Sequence, residues 1–251
     1  MTARPEVVVS GDEGFAARGA AEIVSRLRAA LAERPTAFVA LAGGSTPRPV
    51  YRALAGPGGG LKPAEWRRVH FFWSDERLVP PSDPRSNVVA ATEDLLAGLD
   101  LPPGNLHAPR READPAASAA SYEREIRRVV PAGENDIPRL DLVLLGVGTD
   151  GHTASLFPGQ VAAARAARDL SDLVVATRCP VPPHRRISFT FELIAAARTT
   201  LILAAGESKA DIVHRALTQN DRSLPVTLVE AGSGAVCWVL DPEAAGRLPR
   251  R

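Results

Sequence analysis

Short apolar runs alternate with longer segments of helical period along almost the whole chain. Apolar runs of this kind, without polar alternation, are typical of strands that are covered on both faces. The predicted strands cover residues 6–10, 37–41, 69–73, 140–145, 173–177, 199–204 and 235–240. The predicted helices comprise a long one after the first strand, with Asp12 as its cap and Pro35 at its end, and residues 87–96, 116–130 and about 208–217.

Strands that alternate with helices indicate an α/β fold with a mostly parallel central sheet. We expect a modified Rossmann-like, doubly wound arrangement with helices on both faces, and a single domain over residues 1–251, because the chain shows no repeat and no convincing linker. Open sheets of this class bind ligands outside the carboxyl ends of their strands. Polar clusters follow several of the predicted strands here, so one shared crevice is the natural arrangement.

The most informative segment is LDLVLLGVGTDGHTASLFP, where the strand at 140–145 stops at a glycine-rich turn that carries Asp150 and His152. Histidine is the side chain best suited to exchange protons near neutral pH. An inert, hydrogen-bonded histidine is the alternative reading. The adjacent Asp150 favours the functional one, because a carboxylate can fix the tautomer of an imidazole and raise its basicity.

The same turn formally matches the dinucleotide fingerprint GxGxxG through Gly146, Gly148 and Gly151. We reject a nucleotide site, because the match lies mid-chain and HTASLFPG is a poor start for the fingerprint helix. The candidate acids, Asp169 and Asp172, precede an apolar run, whereas the fingerprint requires an acid at a strand end.

A second glycine-rich turn, GGSTP, follows the strand at 37–41 and enters a helix. Backbone N–H groups of Gly43 and Gly44, with the hydroxyls of Ser45 and Thr46, could bind an anion at the helix N-terminus. A tight turn with Thr46 as a helix cap is equally compatible with the pattern. The Walker sequence is absent, so a nucleotide P-loop is not predicted.

A charged triplet, Asp75-Glu76-Arg77, follows the apolar VHFFW directly. If the chain stays extended there, Asp75 and Arg77 face the same side, where Arg77 could bind phosphate or stabilise an oxyanion. A solvated loop with a salt bridge is the bland alternative. Ser86 or Asn87 is expected to cap the next helix.

Two further cations lie near strand or helix ends. Arg186 precedes ISFTF, and Lys209 is expected in a first helical turn, where the helix dipole disfavours a cation unless an anion is close. Of the 30 basic residues only Lys62 and Lys209 are lysines. Arg186 and Lys209 are therefore candidate phosphate ligands, and an ordinary surface cation is the alternative reading of each.

The bulk composition excludes several classes of protein. A net charge of +1 gives no general attraction to nucleic acid or membrane, and no apolar run approaches the length of a membrane span. The N-terminus lacks the apolar core of a signal peptide, and Cys179 and Cys237 form no CxxC pair, so a cytoplasmic protein with free thiols is expected. The five histidines show no metal-binding spacing, and no GxSxG elbow is present.

LAGGSTPRPVY, FFWSDERLVPPSDPRSN and GVGTDGHTASLFPG closely resemble the signature segments of 6-phosphogluconolactonases, and RRISFTF and AAGESKADIV are similar to later segments of that family. The resemblance implies metal-free and cofactor-free hydrolysis of 6-phospho-D-glucono-1,5-lactone to 6-phosphogluconate, in the oxidative pentose phosphate pathway. His152 would be the general base and Asp150 would orient it. Asp75 and Arg77 would flank the sugar, and the phosphate would be held by Gly43, Gly44, Ser45, Thr46, Arg186 and Lys209.

Two other functions stay open at this point. The wider superfamily includes glucosamine-6-phosphate deaminase/isomerase, which shares GSTP-like and DGH-like motifs, although the DER triplet and TASLFP favour the lactonase. A non-catalytic sugar-phosphate sensor would need a DNA-binding extension, for which a first strand at residue 6 leaves no room. The expected partner is therefore a small sugar-phosphate lactone, without nucleic acid or membrane, bound by a monomer or weak homo-oligomer.

Overall fold

The computed structural model describes residues 4–160, 172–230 and 232–249. Of the residues discussed above, Asp169 lies outside these ranges. The strands are β1 (Glu6–Val9), β2 (Ala37–Leu41), β3 (Val69–Trp73), β4 (Asp75–Arg77), β5 (Leu142–Gly146), β6 (Val174–Arg178), β7 (Arg185–Phe189), β8 (Thr199–Ala204) and β9 (Ala235–Leu240). The α-helices are α1 (Gly14–Glu33), α2 (Pro47–Ala55), α3 (Pro63–Trp66), α4 (Asn87–Asp94), α5 (Pro115–Val129), α6 (Phe191–Ala196) and α7 (Ala210–Thr218).

Six strands form one parallel sheet in the order β1-β9-β8-β5-β2-β3. Two apolar clusters cover its opposite faces: Val39 and Leu144 belong to one, Ala40 and Val143 to the other. Every residue of β2 is buried, as expected for a strand covered on both sides. The predicted parallel sheet flanked by helices is therefore confirmed.

The chain changes direction between β2 and β5, which pair side by side. From β2 it runs to β3 at one edge, and from β5 it continues through β8 to β9 on the other side. A crevice opens outside the carboxyl ends of the strands at such a switch point. The turns after β2 and β5, which carry the two glycine-rich motifs, meet at this place.

A second, antiparallel sheet has the order β4-β7-β6 and was not anticipated. The Asp75–Arg77 triplet forms its own strand in this sheet, and the run predicted at 173–177 joins it as β6. A three-residue strand is too short to show alternation, which is why the triplet resembled a loop. Its extended backbone makes Asp75 and Arg77 share one side.

Several helix starts differ from the prediction. Helix α1 begins at Gly14 behind Glu13, which makes no side-chain capping bond, so the expected cap at Asp12 is wrong. Thr46 occupies the cap position of α2, but its hydroxyl makes no capping bond. Ser86 does cap α4, accepting a hydrogen bond from the Val89 backbone N at 3.4 Å. A 3₁₀ turn, Glu207–Lys209, precedes α7.

Across the described ranges, no helix is both long enough and apolar enough to cross a membrane. Cys179 and Cys237 are both buried free thiols.

Candidate active site

A cleft of about 180 Å³ lies at the carboxyl ends of β8, β5, β2 and β3, beside β4 and β7. Nine of the candidate residues line it, namely Gly43, Gly44, Ser45, Thr46, Asp75, Arg77, His152, Arg186 and Lys209. Asp150 is not in the lining but contacts His152 directly. The four strand ends therefore do converge on one crevice, as the positions of the motifs predicted.

His152 and Asp150 form a tight local pair within the turn after β5. Nδ1 of the imidazole lies 2.5 Å from Oδ1 of Asp150, and the same oxygen accepts from the His152 backbone N at 3.1 Å. Burial acts to raise the pKa of Asp150, but the hydrogen bonds and charge of His152 outweigh burial, so that the pKa is lowered. The Asp150 carboxylate is thus placed to accept from Nδ1–H, and the neutral tautomer with its proton on Nδ1 has its lone pair on Nε2.

The ring of His152 also rests against Phe157, with ring centroids 4.9 Å apart. Gly148 closes the same turn, donating its N–H to the His152 carbonyl at 2.8 Å. A Cβ on Gly148 would lie 2.1 Å from Nδ1 of His152 and 2.5 Å from Oδ1 of Asp150. A glycine at 148 is thus required for the pair to fold back on the turn.

The turn after β2 forms the neighbouring wall. Gly44 has φ +90°, a backbone conformation that glycine adopts without strain, and it leads into the N-terminus of α2. Gly43 is packed against another element, because a Cβ there would lie 2.1 Å from Oδ1 of Asn87. The exposed Gly44 and Ser45 leave N–H and hydroxyl donors at the positive end of a helix, where anions are stabilised.

Three cations face the same cleft. Arg77 and Arg186 are paired across β4 and β7, and their side chains are steadied by the carbonyls of Arg85 and Pro183 at 2.6 and 2.9 Å. Burial lowers the pKa of Arg186, the charge of Arg77 lowers it further, and Asp75 partly opposes both. An anion in the cleft would relieve this repulsion.

Lys209 approaches the cleft from the 3₁₀ turn before α7. Burial lowers the pKa of Lys209, and Asp150 acts in the opposite direction. Lys209 therefore lies within the field of the Asp150 carboxylate, and the cation faces a cleft rather than open solvent.

Asp75 is only 6% exposed, and both of its carboxylate oxygens have protein partners. Oδ1 accepts from Nδ2 of Asn87 at 3.1 Å, and Oδ2 accepts from Oγ of Ser155 at 2.6 Å. Nη1 of Arg186 lies 3.9 Å from Oδ2. The carboxylate thus belongs to a buried network, which sequence reasoning missed because Ser155 is far from Asp75 in sequence.

Glu76 does not line the cleft, and its carboxylate bonds to the N-terminus of helix α4. Its carboxylate is fully buried and accepts from the backbone N of Asn87 and of Val88, at 2.8 and 2.9 Å, and from Oγ of Ser86 at 2.8 Å. The middle residue of the triplet is therefore a helix-capping group.

Six further positions line the cleft and were not assigned to the site from the sequence: Ala42, Ser74, Gly146, Val147, Gly148 and Ala154. No group of three or more histidine, cysteine, aspartate or glutamate side chains that could hold a metal ion occurs within the described parts of the chain.

The fold and the cleft together define an α/β protein in which a histidine paired with a carboxylate and a wall of cationic side chains meet at a topological switch point. The profile of the family described as glucosamine-6-phosphate isomerases/6-phosphogluconolactonases matches residues 10–238. This chain belongs to that family, which confirms the resemblance seen in its motifs.

Many relatives of this chain are named 6-phosphogluconolactonase, one of the two activities in the description of the family. A 6-phosphogluconolactonase of Streptomyces coelicolor is 36% identical, with 100% of this chain and 97% of the relative covered. The crystal structure of 6-phosphogluconolactonase from Thermotoga maritima has a TM-score of 0.79 at 30% identity, covering 94% of this chain and 100% of that one. The structure of 6-phosphogluconolactonase from Trypanosoma brucei has a TM-score of 0.84 at 29% identity, covering 98% and 99%.

Proposed function

We propose that the protein hydrolyses 6-phospho-D-glucono-1,5-lactone to 6-phosphogluconate, the second step of the oxidative pentose phosphate pathway. The observation that carries the proposal is the pairing of His152 with Asp150, 2.5 Å apart, on the wall of a cleft whose other walls hold three cations and a glycine-rich helix N-terminus. Lactone hydrolysis needs a base for water, a stabiliser for the oxyanion and an anchor for the distant phosphate. The cleft contains a candidate for each.

His152 is the proposed general base. With Nδ1 directed to Asp150, Nε2 takes a proton from water as the water oxygen bonds to the lactone carbonyl carbon. Collapse of the tetrahedral intermediate breaks the bond to the ring oxygen, which receives the proton back from the imidazolium. The new carboxylic acid then ionises. General-base help of this kind contributes about 10²–10⁴ in rate.

The phosphate is proposed to bind to Gly43, Gly44, Ser45 and Thr46 together with Arg186 and Lys209. Backbone N–H groups and hydroxyls at the start of α2 suit phosphate oxygens, and a guanidinium suits them bidentately. The lowered pKa of Arg186, caused by burial and by Arg77, supports an anionic ligand that restores favourable electrostatics. Holding the phosphate orients the carbonyl toward the water.

Arg77 is proposed to stabilise the charge that develops on the carbonyl oxygen. It lines the cleft from β4 with its Nη1 fixed on the Arg85 carbonyl, so it is already oriented before substrate arrives. Asp75 flanks the sugar side of the cleft and keeps Arg186 in place at 3.9 Å. Water, one base and these cations complete the reaction, and we propose no metal or organic cofactor.

The test is formation of 6-phosphogluconate from freshly prepared lactone, measured against spontaneous hydrolysis. A protein-dependent rate well above background is expected, and a rate equal to background would overturn the proposal. Release of ammonia from glucosamine 6-phosphate tests the deaminase alternative in the same samples, and no release is expected. Binding of the lactone without turnover would instead point to the sensor.

We also propose that residues 1–251 form a single domain, that the protein is a monomer or weak homo-oligomer, that it binds no nucleic acid and that it acts in the cytoplasm. Two core clusters on opposite faces of one sheet support the single domain, and two buried free thiols suit a reducing compartment. A single cooperative unfolding transition would support the single domain, and light scattering measures the oligomeric state. A nucleic-acid binding assay and cell fractionation test the other two points.

A further inference from the structure

The hydroxyl of Ser155 connects two walls of the cleft. Its Oγ donates to Oδ2 of Asp75 at 2.6 Å, across 80 positions of sequence, and Ser155 is completely buried. Asp75 belongs to β4, which also carries Arg77, and β4 pairs with β7, which carries Arg186. Ser155 belongs to the turn that carries His152. We call residues 150–157 the His152 loop.

A second bond fixes Ser155 to the same sheet. Its backbone N donates to Oγ of Ser188, a β7 residue, at 3.1 Å. Ser188 is the cross-strand neighbour of Asp75, so both bonds of Ser155 end on one β4–β7 pair. Ser155 therefore hydrogen-bonds the His152 loop to the arginine-bearing strands through both its backbone and its side chain.

The residue before this attachment is strained. Ala154 lines the cleft and has φ +48°, a left-handed conformation in which the Cβ of a non-glycine residue is crowded. Such a conformation persists only where the surroundings hold it. The two bonds of Ser155 supply that restraint, immediately beside the strained residue and three positions after His152.

We infer that Ser155 is a positioning residue: its bond to Asp75 sets the distance between His152 and the arginines of β4 and β7. This inference rests on the proposed function and deepens it. The base and the phosphate-binding cations stand on different elements, and a misplacement of about 1 Å can cost about 10²-fold in rate. Asp75, with both oxygens occupied, acts through Ser155 and Arg186 rather than on the substrate.

The central variants are Ser155→Ala and Ser155→Cys. Alanine deletes the hydroxyl, whereas cysteine puts a slightly larger thiol, only a weak donor, in its place. We expect kcat to fall about tenfold to 100-fold in Ser155→Ala and less in Ser155→Cys, while KM stays within about threefold because the phosphate-binding groups stand on other elements. Thr200→Val is the matched control, since it removes another buried hydroxyl, that of Thr200 in β8, which donates to the Ile194 carbonyl of α6. This variant should leave kcat unchanged.

A double-mutant cycle separates positioning from a general packing role. If Ser155 acts through Asp75, Ser155→Ala adds little to the kcat loss already caused by Asp75→Asn, because the shared bond is already broken. Full additivity of the two losses, or wild-type kcat in both serine variants, would overturn the inference. A variant that fails to fold leaves the decision to Ser155→Cys.

Amide hydrogen exchange of the 150–157 peptide gives a readout that does not depend on turnover. Ser155→Ala and Asp75→Asn should each accelerate exchange there, without additivity, while Thr200→Val should not. If the wild-type protein shows no lactone hydrolysis, the proposed function fails. The exchange result still tests whether Ser155 attaches the His152 loop to β4 and β7. Unchanged exchange in Ser155→Ala contradicts the inference even in an active enzyme.

Discussion

Arg77 and Arg186 lie directly opposite each other in the antiparallel β4–β7 pair, and both face the cleft. Two like charges at opposed positions destabilise a strand pair unless an anion compensates them. Burial lowers the pKa of Arg186, and the charge of Arg77 lowers it further, a contribution that reflects the repulsion between the two arginines. An anion bound between Arg77 and Arg186 would therefore offset their mutual repulsion.

The first prediction follows from this relationship. Inorganic phosphate should stabilise the protein by about 2.7 kcal/mol at 100 times its dissociation constant. At about 2–4 °C per kcal/mol, this is a rise in Tm of about 5–11 °C. Arg186→Ala should remove most of this rise, as measured by thermal unfolding with and without phosphate. Arg67→Ala, which breaks an exposed ion pair with Asp100, is the control and should keep it. Equal shifts in both variants would exclude Arg186 from the anion site.

The second prediction concerns the proposed base. His152→Ala should lower kcat by about 10²-fold or more, and Asp150→Asn should lower it too, because the imidazole loses its ionised acceptor on Nδ1. His214→Ala, on helix α7 and outside the cleft lining, should match wild type. Steady-state hydrolysis above background is the measurement. Activity of His152→Ala within about threefold of wild type, below the scale of general-base catalysis, would remove the base assignment.

The extent to which this site could be predicted differs from residue to residue. Continuous apolar runs identified β2, β3 and β5, and the rule that parallel sheets bind ligands at their carboxyl ends brought His152 and Lys209 into one cleft. The bond between Ser155 and Asp75 could not be predicted, because it depends on the packing of β4 and β7 against the His152 loop. The capping role of Glu76 could not be told apart in sequence from a role in the cleft. Only the position of α4 in the fold decides whether Asp75 or Glu76 caps that helix.

The third prediction is a dependence of anion binding on pH. Burial lowers the pKa of Lys209 below its usual value of 10.5, so the lysine loses its charge at a lower pH than a surface lysine does. Affinity for 6-phosphogluconate should therefore be highest near neutral pH and fall as pH rises through the lowered pKa. The charge of the ligand is constant there, because the second pKa of a phosphate ester is about 6. Calorimetric titration from neutral to alkaline pH measures it.

Two variants check the assignment of this loss to Lys209. Lys209→Arg should bind with little change across the same range, because arginine stays protonated. Lys209→Ala should show a raised KM, whereas Lys62→Ala, the other lysine of the chain and exposed, should not. An alkaline loss of affinity of the same size in Lys209→Arg would assign it to another group, and an unchanged kcat/KM in Lys209→Ala would remove Lys209 from the phosphate site.

The fourth prediction uses two glycines as a matched pair. A Cβ at Gly148 would lie 2.1 Å from Nδ1 of His152, whereas a Cβ at Gly104 meets nothing within 4 Å. Gly148→Ala should therefore displace the imidazole from Asp150 and lower kcat by about 10²-fold, the scale of a 1 Å misplacement. Gly104→Ala should keep full activity. A Gly148→Ala enzyme with wild-type kcat would show that the Asp150–His152 geometry is not needed for turnover.

The fifth prediction concerns stability alone. Both carboxylate oxygens of Glu76 accept hydrogen bonds from N–H or O–H donors, among them the Arg77 backbone N at 2.6 Å and the Asn87 backbone N at 2.8 Å. Glu76→Gln replaces one of these oxygens by an NH₂ group. At this fully buried position the NH₂ group would point at N–H or O–H donors that had bonded to the carboxylate. An unsatisfied buried group costs about 1–3 kcal/mol, and we expect the free energy of unfolding, from urea titration, to fall by at least that amount. Glu93→Gln, in an exposed ion pair with Arg48, should change it by less than about 0.5 kcal/mol. Equal stability of the two variants would mean that the N-terminus of α4 does not depend on the buried carboxylate.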